Sequence, residues 1–326
     1  MNEQKYLFDI IRKKIPDSQN LVDVVEKLLG IGNNSAYRRI RGEKELTIKE
    51  LCILCKKFNI SFDEVLNYKS GQSAMFNYTP IDLYKSENYV LYLKRSLEKM
   101  TALTSAQKKE IYVTAQDIPF YHLLNYPELT LFKLYAWNTT INRTPVSYCE
   151  FCNNLDKDAI MPIFKQMVEE YQNIPSKEIW TNQTIDNILR LLEYHFETGA
   201  FEKKETAILL LNQLTDLIDT VAKYTDDGCK GGDTKVPFLF YLSIVDLENS
   251  FMLVKKDENM SCILKLYTIN GIVTENEAFC RETEKWINDL ILKSTLISKT
   301  SSKEKFRFFQ TTKNKIDELR NKINVG

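Results

Sequence analysis

Residues 31–43, IGNNSAYRRIRGE, place three arginines between two glycines, and this stretch constrains the fold more than any other in the chain. The pattern predicts a turn around Gly30 to Gly32, then a short helix over about 33–41, with Gly42 stopping it. Ala36 and Ile40 lie four apart and so face inward together. The preceding segment, NLVDVVEKLL at about 20–29, carries Leu21, Val24, Val25, Leu28 and Leu29 at helical spacing. Gly30 occupies the left-handed stop position after it, and Ile31 is an apolar plug in the turn. Three more helices fit around this pair. One covers about 3–14, with Tyr6, Leu7, Ile10 and Ile11 on one side, and Pro16 ends it. Another begins at Thr47, where Glu50 completes a capping box for TIKELCILCKKF. In the last, Ser61 and Glu64 form a second box, and Phe62, Val65 and Leu66 pack inward. The expectation for residues 1–68 is an all-α five-helix domain.

The bulk numbers limit what this domain can do. The chain of 326 residues has 44 basic and 44 acidic side chains, so its formal net charge is zero. A uniformly basic nucleic-acid binder is excluded, and any contact with phosphate must come from a local surface. Residues 1–68 hold twelve basic against ten acidic residues. The start, MNEQKYLFDIIRKK, lacks the apolar core of a signal peptide. The longest apolar candidate, VPFLFYLSIVDLENSFMLVKK, is broken by Asp246, Glu248 and Asn249, so no membrane partner is expected. Seven cysteines in a chain of this length argue against a disulfide framework and for a cytoplasmic location. Two histidines, His122 and His195, leave little room for histidine chemistry.

The stretch VVEKLLGIGNNSAYRRIRGE followed by LTIKELCILCKKFNISFDEVL resembles the repressor domain of the lambda-repressor/Cro helix-turn-helix superfamily. In that family a small residue usually stands four before the turn glycine, where this chain has Glu26. The resemblance implies that the helix after the turn lies in the major groove of double-stranded DNA. Side-chain chemistry then suggests roles. Asn33 and Asn34, at the start of the helix, can reach a phosphate or an adenine edge. Ser35, Tyr37, Arg38 and Arg41 are expected to face the duplex. Arg38 is the preferred reader of guanine, whereas Arg39, Arg41 and Lys44 are assigned to phosphate. So weakly charged a module needs a second copy, and a homodimer is expected. Two other readings stand beside this one: a solvated arginine face, and a protein–protein adaptor whose helix-turn-helix is degenerate.

Residues 69–82 lose the helical period, contain Gly71 and Pro80, and form a linker; Phe76 and Tyr78 can still dock into the second domain. Residues 83–326 are expected to form a mainly helical α+β domain with a small antiparallel sheet, for dimerisation or effector sensing. Helices are predicted at 83–101, 155–172, 182–198, 202–224, 275–292 and 302–323, with a short helix and a proline-started one inside 117–137. KKEIYVTAQ at 108–116 alternates like a strand. Strand-like runs near 236–247, 251–257 and 262–269 suggest an antiparallel meander. EIYVTAQDIPFYHLLNYPELTLFKLYAW and WINDLILKSTLISKTSSKEKFRFF resemble the uncharacterised second domain of Bacteroidetes regulators with this helix-turn-helix. That likeness implies a transcription regulator and assigns no site residue.

Other motifs carry less. DDGCKGGD, with Gly228, Gly231 and Gly232, could form an anion nest but lacks the Lys-Ser/Thr of a phosphate loop, so a surface loop is the alternative. Cys52 and Cys55 share one helix without a second ligand pair, and Cys149, Cys152 and Cys229 are scattered; no metal or other cofactor is expected. Tyr112, Phe120, Tyr121, His122, Tyr126, Tyr135 and Trp137, with Phe132, form a dense aromatic run. They could line a pocket for a small-molecule effector, or make an ordinary core or a dimer face. Residues 293–322 hold nine basic against three acidic residues, suited to a DNA backbone, an acidic partner surface or solvent. The expectation is a sequence-specific DNA-binding transcriptional regulator. An enzyme in the second domain is the other rival, although no nucleophile–base–acid trio or paired-carboxylate motif is evident.

Overall fold

The structure, a computed structural model, describes residues 3–16, 18–67, 74–81, 83, 85–141, 146–266 and 270–325. The chain divides into two compact units, Met1–Phe76 and Asn77–Gly326. The first contains α1 (Glu3–Lys14), α2 (Leu21–Leu29), α3 (Asn33–Ile40), α4 (Ile48–Phe58) and α5 (Phe62–Asn67). Their apolar stripes meet at Leu7, Phe8, Ile11, Leu21, Val25, Ala36, Leu54, Ile60 and Val65. Capping agrees closely with the sequence signals. The Asn20 side chain accepts from the Val22 N–H, Gly30 ends α2 at φ +64°, and Thr47 and Glu50 form the capping box of α4. The Glu64 carboxylate and linker residues 68–73, Gly71 among them, lie outside the described residues.

The second unit corrects the expectation of a small antiparallel sheet. Among the described residues it holds one mixed sheet of nine strands. In chain order its elements are β1 (Asn77–Tyr78), α6 (Ser86–Thr104), β2 (Lys109–Ala115), α7 (Phe120–Leu123), α8 (Pro127–Ile141), α9 (Tyr148–Asn153), α10 (Lys157–Gln172), β3 (Ser176–Trp180), α11 (Asp186–Glu197) and α12 (Lys204–Asp227). Next come β4 (Cys229–Lys230), β5 (Val236–Leu242), β6 (Phe251–Lys256), β7 (Asn259–Leu266), β8 (Asn270–Thr274), α13 (Glu277–Leu292), β9 (Thr295–Leu296) and α14 (Ser302–Val325). The order across the sheet is β1-β8-β7-β6-β2-β3-β5-β4, with β9 beside β5. β2, β3 and β5 run parallel, and the long helical connections between them are what parallel pairing demands. The meander is β6-β7-β8. β5 takes no part in it, because β2 and β3 stand between β5 and β6.

Alternation along the strands divides the interior. Ile111, Val113, Ala115, Trp180, Phe238 and Phe240 face the main core with α6, α8, α10, α12 and α14. Tyr112, Ile179, Leu253 and Cys262 face the other way, under Cys280, Ile287 and Leu290 of α13. The basic end of the chain, α14, seats Phe308, Phe309, Ile316, Leu319 and Ile323 in the main core. Its cations meet carboxylates of α11 and α12: Lys305 with Asp226, Lys313 with Asp219, Lys315 with Asp186, and Lys322 with Glu193 and Glu197. The acidic surface that this segment fits is thus within its own chain.

One carboxylate pins the helices to the sheet. Glu178, on β3, has no exposed surface. Its Oε1 accepts from the Tyr171 hydroxyl of α10 at 2.5 Å, and its Oε2 from the Trp180 indole N–H at 2.9 Å. The His122 Nε2 of α7 lies 2.9 Å and 3.1 Å from the two oxygens. Lys230 of β4 donates to Ser176 Oγ at 2.8 Å, with its ammonium 3.2 Å from the centre of the Tyr171 ring. Lys230 is therefore fixed in the core, and DDGCKGGD runs from the end of α12 through β4 into a short 3-10 turn, with Asp226, Asp227 and Gly232 exposed. Gly228 suits that point because it ends α12 in the left-handed conformation, at φ +62°. Burial alone would raise the Glu178 pKa. The charge and hydrogen bond of His122, the charge of Lys230 and the Tyr171 hydroxyl outweigh it and hold the group at about 2.

Removing this acceptor leaves buried donors without partners. Glu178→Ala is expected to cost about 3–5 kcal/mol in denaturant unfolding, whereas Lys313→Ala, at an exposed pair, stays within about 1 kcal/mol. Since the folded pKa lies below the unfolded value of about 4.3, the Glu178 contribution is complete above that pH and is lost as pH falls toward 2.

Candidate nucleic-acid interface

The short α3 exists because its buried stripe is made of small or committed side chains. Ala36 is fully buried, Ile40 packs partly against the same core, and Arg39 is 5% exposed. The Arg39 guanidinium makes a two-pronged contact with Glu50 of α4, Nε to Oε2 at 3.2 Å and NH2 to Oε1 at 2.7 Å, and NH1 donates to the Ser35 carbonyl at 3.2 Å. Glu50 also accepts from the Thr47 N–H at 2.9 Å, so one carboxylate caps α4 and anchors α3. Burial would raise its pKa, but Arg39 and the Thr47 backbone outweigh that and hold it below the ordinary carboxylate value. The expected phosphate role of Arg39 is corrected here: the side chain is spent inside the unit.

The other positions point outward. Asn33, Asn34, Tyr37, Arg38, Arg41 and Lys44 are exposed, and Ser35 is half-buried. Helix geometry stacks Asn33 over Tyr37, and Asn34 over Arg38. The Arg41 guanidinium lies 4.5 Å from the centre of the Tyr37 ring, which stiffens both side chains. Glu43 stands 3.8 Å from both Arg38 and Arg41. Gly32 makes no side-chain cap, and its carbonyl accepts from the Ser35 N–H at 2.9 Å, so among the described residues the Asn33 and Asn34 N–H groups are left for solvent or an anion. Glu26, the departure from the resembling family, accepts a 3.0 Å bond from the Asn33 amide and joins α2 to the start of α3.

Two supporting residues carry no signal in the sequence. Gln4, on α1, donates to the carbonyls of Arg39 and Lys44 at 2.7 Å and 2.8 Å and accepts from the Leu46 N–H at 3.0 Å, clamping the loop after α3. Glu43 balances the exposed arginines. No local pattern marks Gln4, since its partners lie 35 to 42 residues away.

The aromatic residues expected to line an effector pocket are not brought together. Tyr112 lies on the α13 face of the sheet, between the ammonium groups of Lys177 and Lys255. His122 belongs to the Glu178 cluster, and Tyr121 stacks on Tyr171 nearby. Phe120 packs partly buried on the main core. Tyr126 donates to the Asp216 carbonyl of α12 at 2.9 Å. Tyr135 packs against Tyr148, Phe151 and His195, and Trp137 is buried. These are packing roles on both sides of the sheet. Cys52 and Cys55 sit on α4, Cys149 and Cys152 on α9 and Cys229 on β4, and all are free thiols. No group of three or more metal-ligating side chains occurs among the described residues. No described helix is long and apolar enough to cross a membrane. No family model matches the chain, and no curated protein or solved structure matches it either.

Arg39→Ala is expected to destabilise the first unit by about 3 kcal/mol, because it leaves Glu50 without its partner. Arg38→Ala, at an exposed position, should leave the unfolding midpoint within about 0.5 kcal/mol of the parent. Urea unfolding of the two variants separates anchor from surface. The Arg39–Glu50 contribution is present above the unfolded carboxylate pKa and is lost as pH falls through the lowered Glu50 value.

Proposed function

We propose that this protein is a sequence-specific DNA-binding transcriptional regulator. The observation that carries the reading is the outward face of α3: Asn33, Asn34, Tyr37 and Arg38, with Arg41 at the C-cap, present donors after a three-residue turn. Its inward face is locked to α4 through Arg39 and Glu50. Major-groove recognition needs this combination of a rigidly held helix and exposed amide and guanidinium groups. Arg38 reads guanine, and Arg41 and Lys44 hold phosphate. With little net charge, the module works as a homodimer on two half-sites. The second unit supplies that dimer contact, and any effector acts by binding the DNA-competent state with a different affinity.

One observation favours a second reading, a protein–protein adaptor. Glu43 approaches both Arg38 and Arg41, so the surface is of mixed sign, as a protein partner would tolerate.

Selection from a random duplex library with the full-length chain, at about 0.15 M salt, decides between them. An enriched palindrome with half-sites one helical turn apart supports the regulator, and the absence of enrichment with folded protein supports the adaptor. On the selected duplex, Arg38→Ala should cost about 1–3 kcal/mol of discrimination at one base position. Arg41→Ala should weaken all duplexes alike and reduce the salt slope by about one.

A further inference from the structure

A buried cluster in the second unit has more cations than it can neutralise. Asp117 follows β2 at the carboxyl end of the parallel strands. Its Oδ2 receives Lys133 Nζ of α8 at 2.6 Å, Lys265 Nζ of β7 at 2.9 Å and the Asn187 amide of α11 at 3.2 Å. Its Oδ1 accepts from the Ile118 N–H at 2.9 Å. Two ammonium groups and an amide thus crowd one oxygen of a single carboxylate. Lys133 is 1% exposed, and Asp117 is the one hydrogen-bond partner of its ammonium among the described residues. An ammonium has three N–H donors, so two of these buried donors have no protein acceptor. One turn further along α8, on the same face, the Trp137 indole N–H is also buried without a partner. Unmatched buried charge and unmatched donors are each costly.

We propose that this cluster is a binding site for a small oxyanion, the carboxylate or phosphate group of a small molecule. Such a group supplies both missing quantities, a second negative charge and several acceptor oxygens. Lys265 and Asn187 are half-buried and give access from solvent, while Lys133 forms the floor. The position fits as well, since open sheets with parallel strands bind ligands beyond the carboxyl ends of those strands. Burial lowers the Lys133 pKa and the neighbouring Lys265 charge adds to that, while Asp117 opposes both. The cluster lies wholly in the second unit and is independent of the DNA reading of the first.

The test is thermal unfolding of the full chain at constant ionic strength, with sodium phosphate or sodium acetate replacing chloride at about 10 mM. The expected result is a rise in midpoint of about 2 °C or more, which Lys265→Met abolishes. Lys265→Met alters a half-exposed residue and should fold even where Lys133→Met does not. Isothermal titration of each anion into the parent and into Lys265→Met gives the second readout. A response to phosphate identifies a phosphate-bearing ligand, and a response to acetate alone identifies a carboxylate. The proposal is overturned if neither anion shifts the parent, or if Lys265→Met responds as strongly as the parent.

Discussion

A carboxylate with no contact to solvent must find its donors inside the protein, and Glu178 takes them from three elements. Tyr171 comes from α10, His122 from α7 and Trp180 from β3 itself. The desolvation cost of such a group is several kcal/mol, so it is tolerable in one arrangement of those elements and ruinous in most others. Both crossover connections are tied by this demand. The β2-to-β3 connection carries His122 and Tyr171, and the β3-to-β5 connection carries Lys230, whose ammonium lies against the Tyr171 ring. Trp180, on the strand that carries it, and Phe238 and Phe240, on the adjacent β5, belong to the main core. The polar cluster supplies the direction that apolar contacts lack.

The first unit applies the same logic on a smaller scale. Three arginines lie within four positions, and what distinguishes them is which one is buried. Arg39 falls between Ala36 and Ile40 on the inward stripe and meets Glu50, so its charge holds α3 against α4. That leaves Arg38 and Arg41 outward by helix geometry. A guanidinium used as an anchor explains how so short a helix keeps a fixed orientation while its outer face stays polar. Gln4 extends the anchoring to the loop around Lys44, so the exposed cations stand on a braced frame.

The long helices are legible in the sequence because their apolar positions repeat at the helical period, and the glycine and capping-box signals mark several ends. β3 is not. Its five residues, SKEIW, put Ser176 and Glu178 on the buried face, against the rule that polar residues alternate outward. The strand order is hidden for a different reason: β6 and β7 look like a continuation of β5, and nothing local reveals that β2 and β3 intervene. Arg39 is legible in principle. Ala36, Arg39 and Ile40 share one face by spacing, but Glu50 reads from sequence only as a cap. The aromatic run fails as a pocket because nearness in sequence says nothing about facing. Tyr112 alternates away from Ile111 and Val113 to the opposite side of the sheet.

The charge arrangement of the second unit shows why the Asp117 cluster stands apart. Along α14, Lys305, Lys313, Lys315 and Lys322 each meet at least one carboxylate, and Lys322 meets two. In the Glu178 cluster the carboxylate is saturated by hydroxyl, indole and imidazole donors, and Lys230 has Ser176 and an aromatic face. These groups show the chain matching buried or half-buried cations with acceptors. At Asp117 the matching fails in one direction only, toward too many donors and too much positive charge, and at the sheet end where α/β proteins hold ligands. Lys265 adds to the stabilisation of the ionised Asp117, but Lys133 alone would already balance its charge. An anion, by contrast, requires both lysines, with Asp117 keeping them apart from other partners and aligned before it arrives.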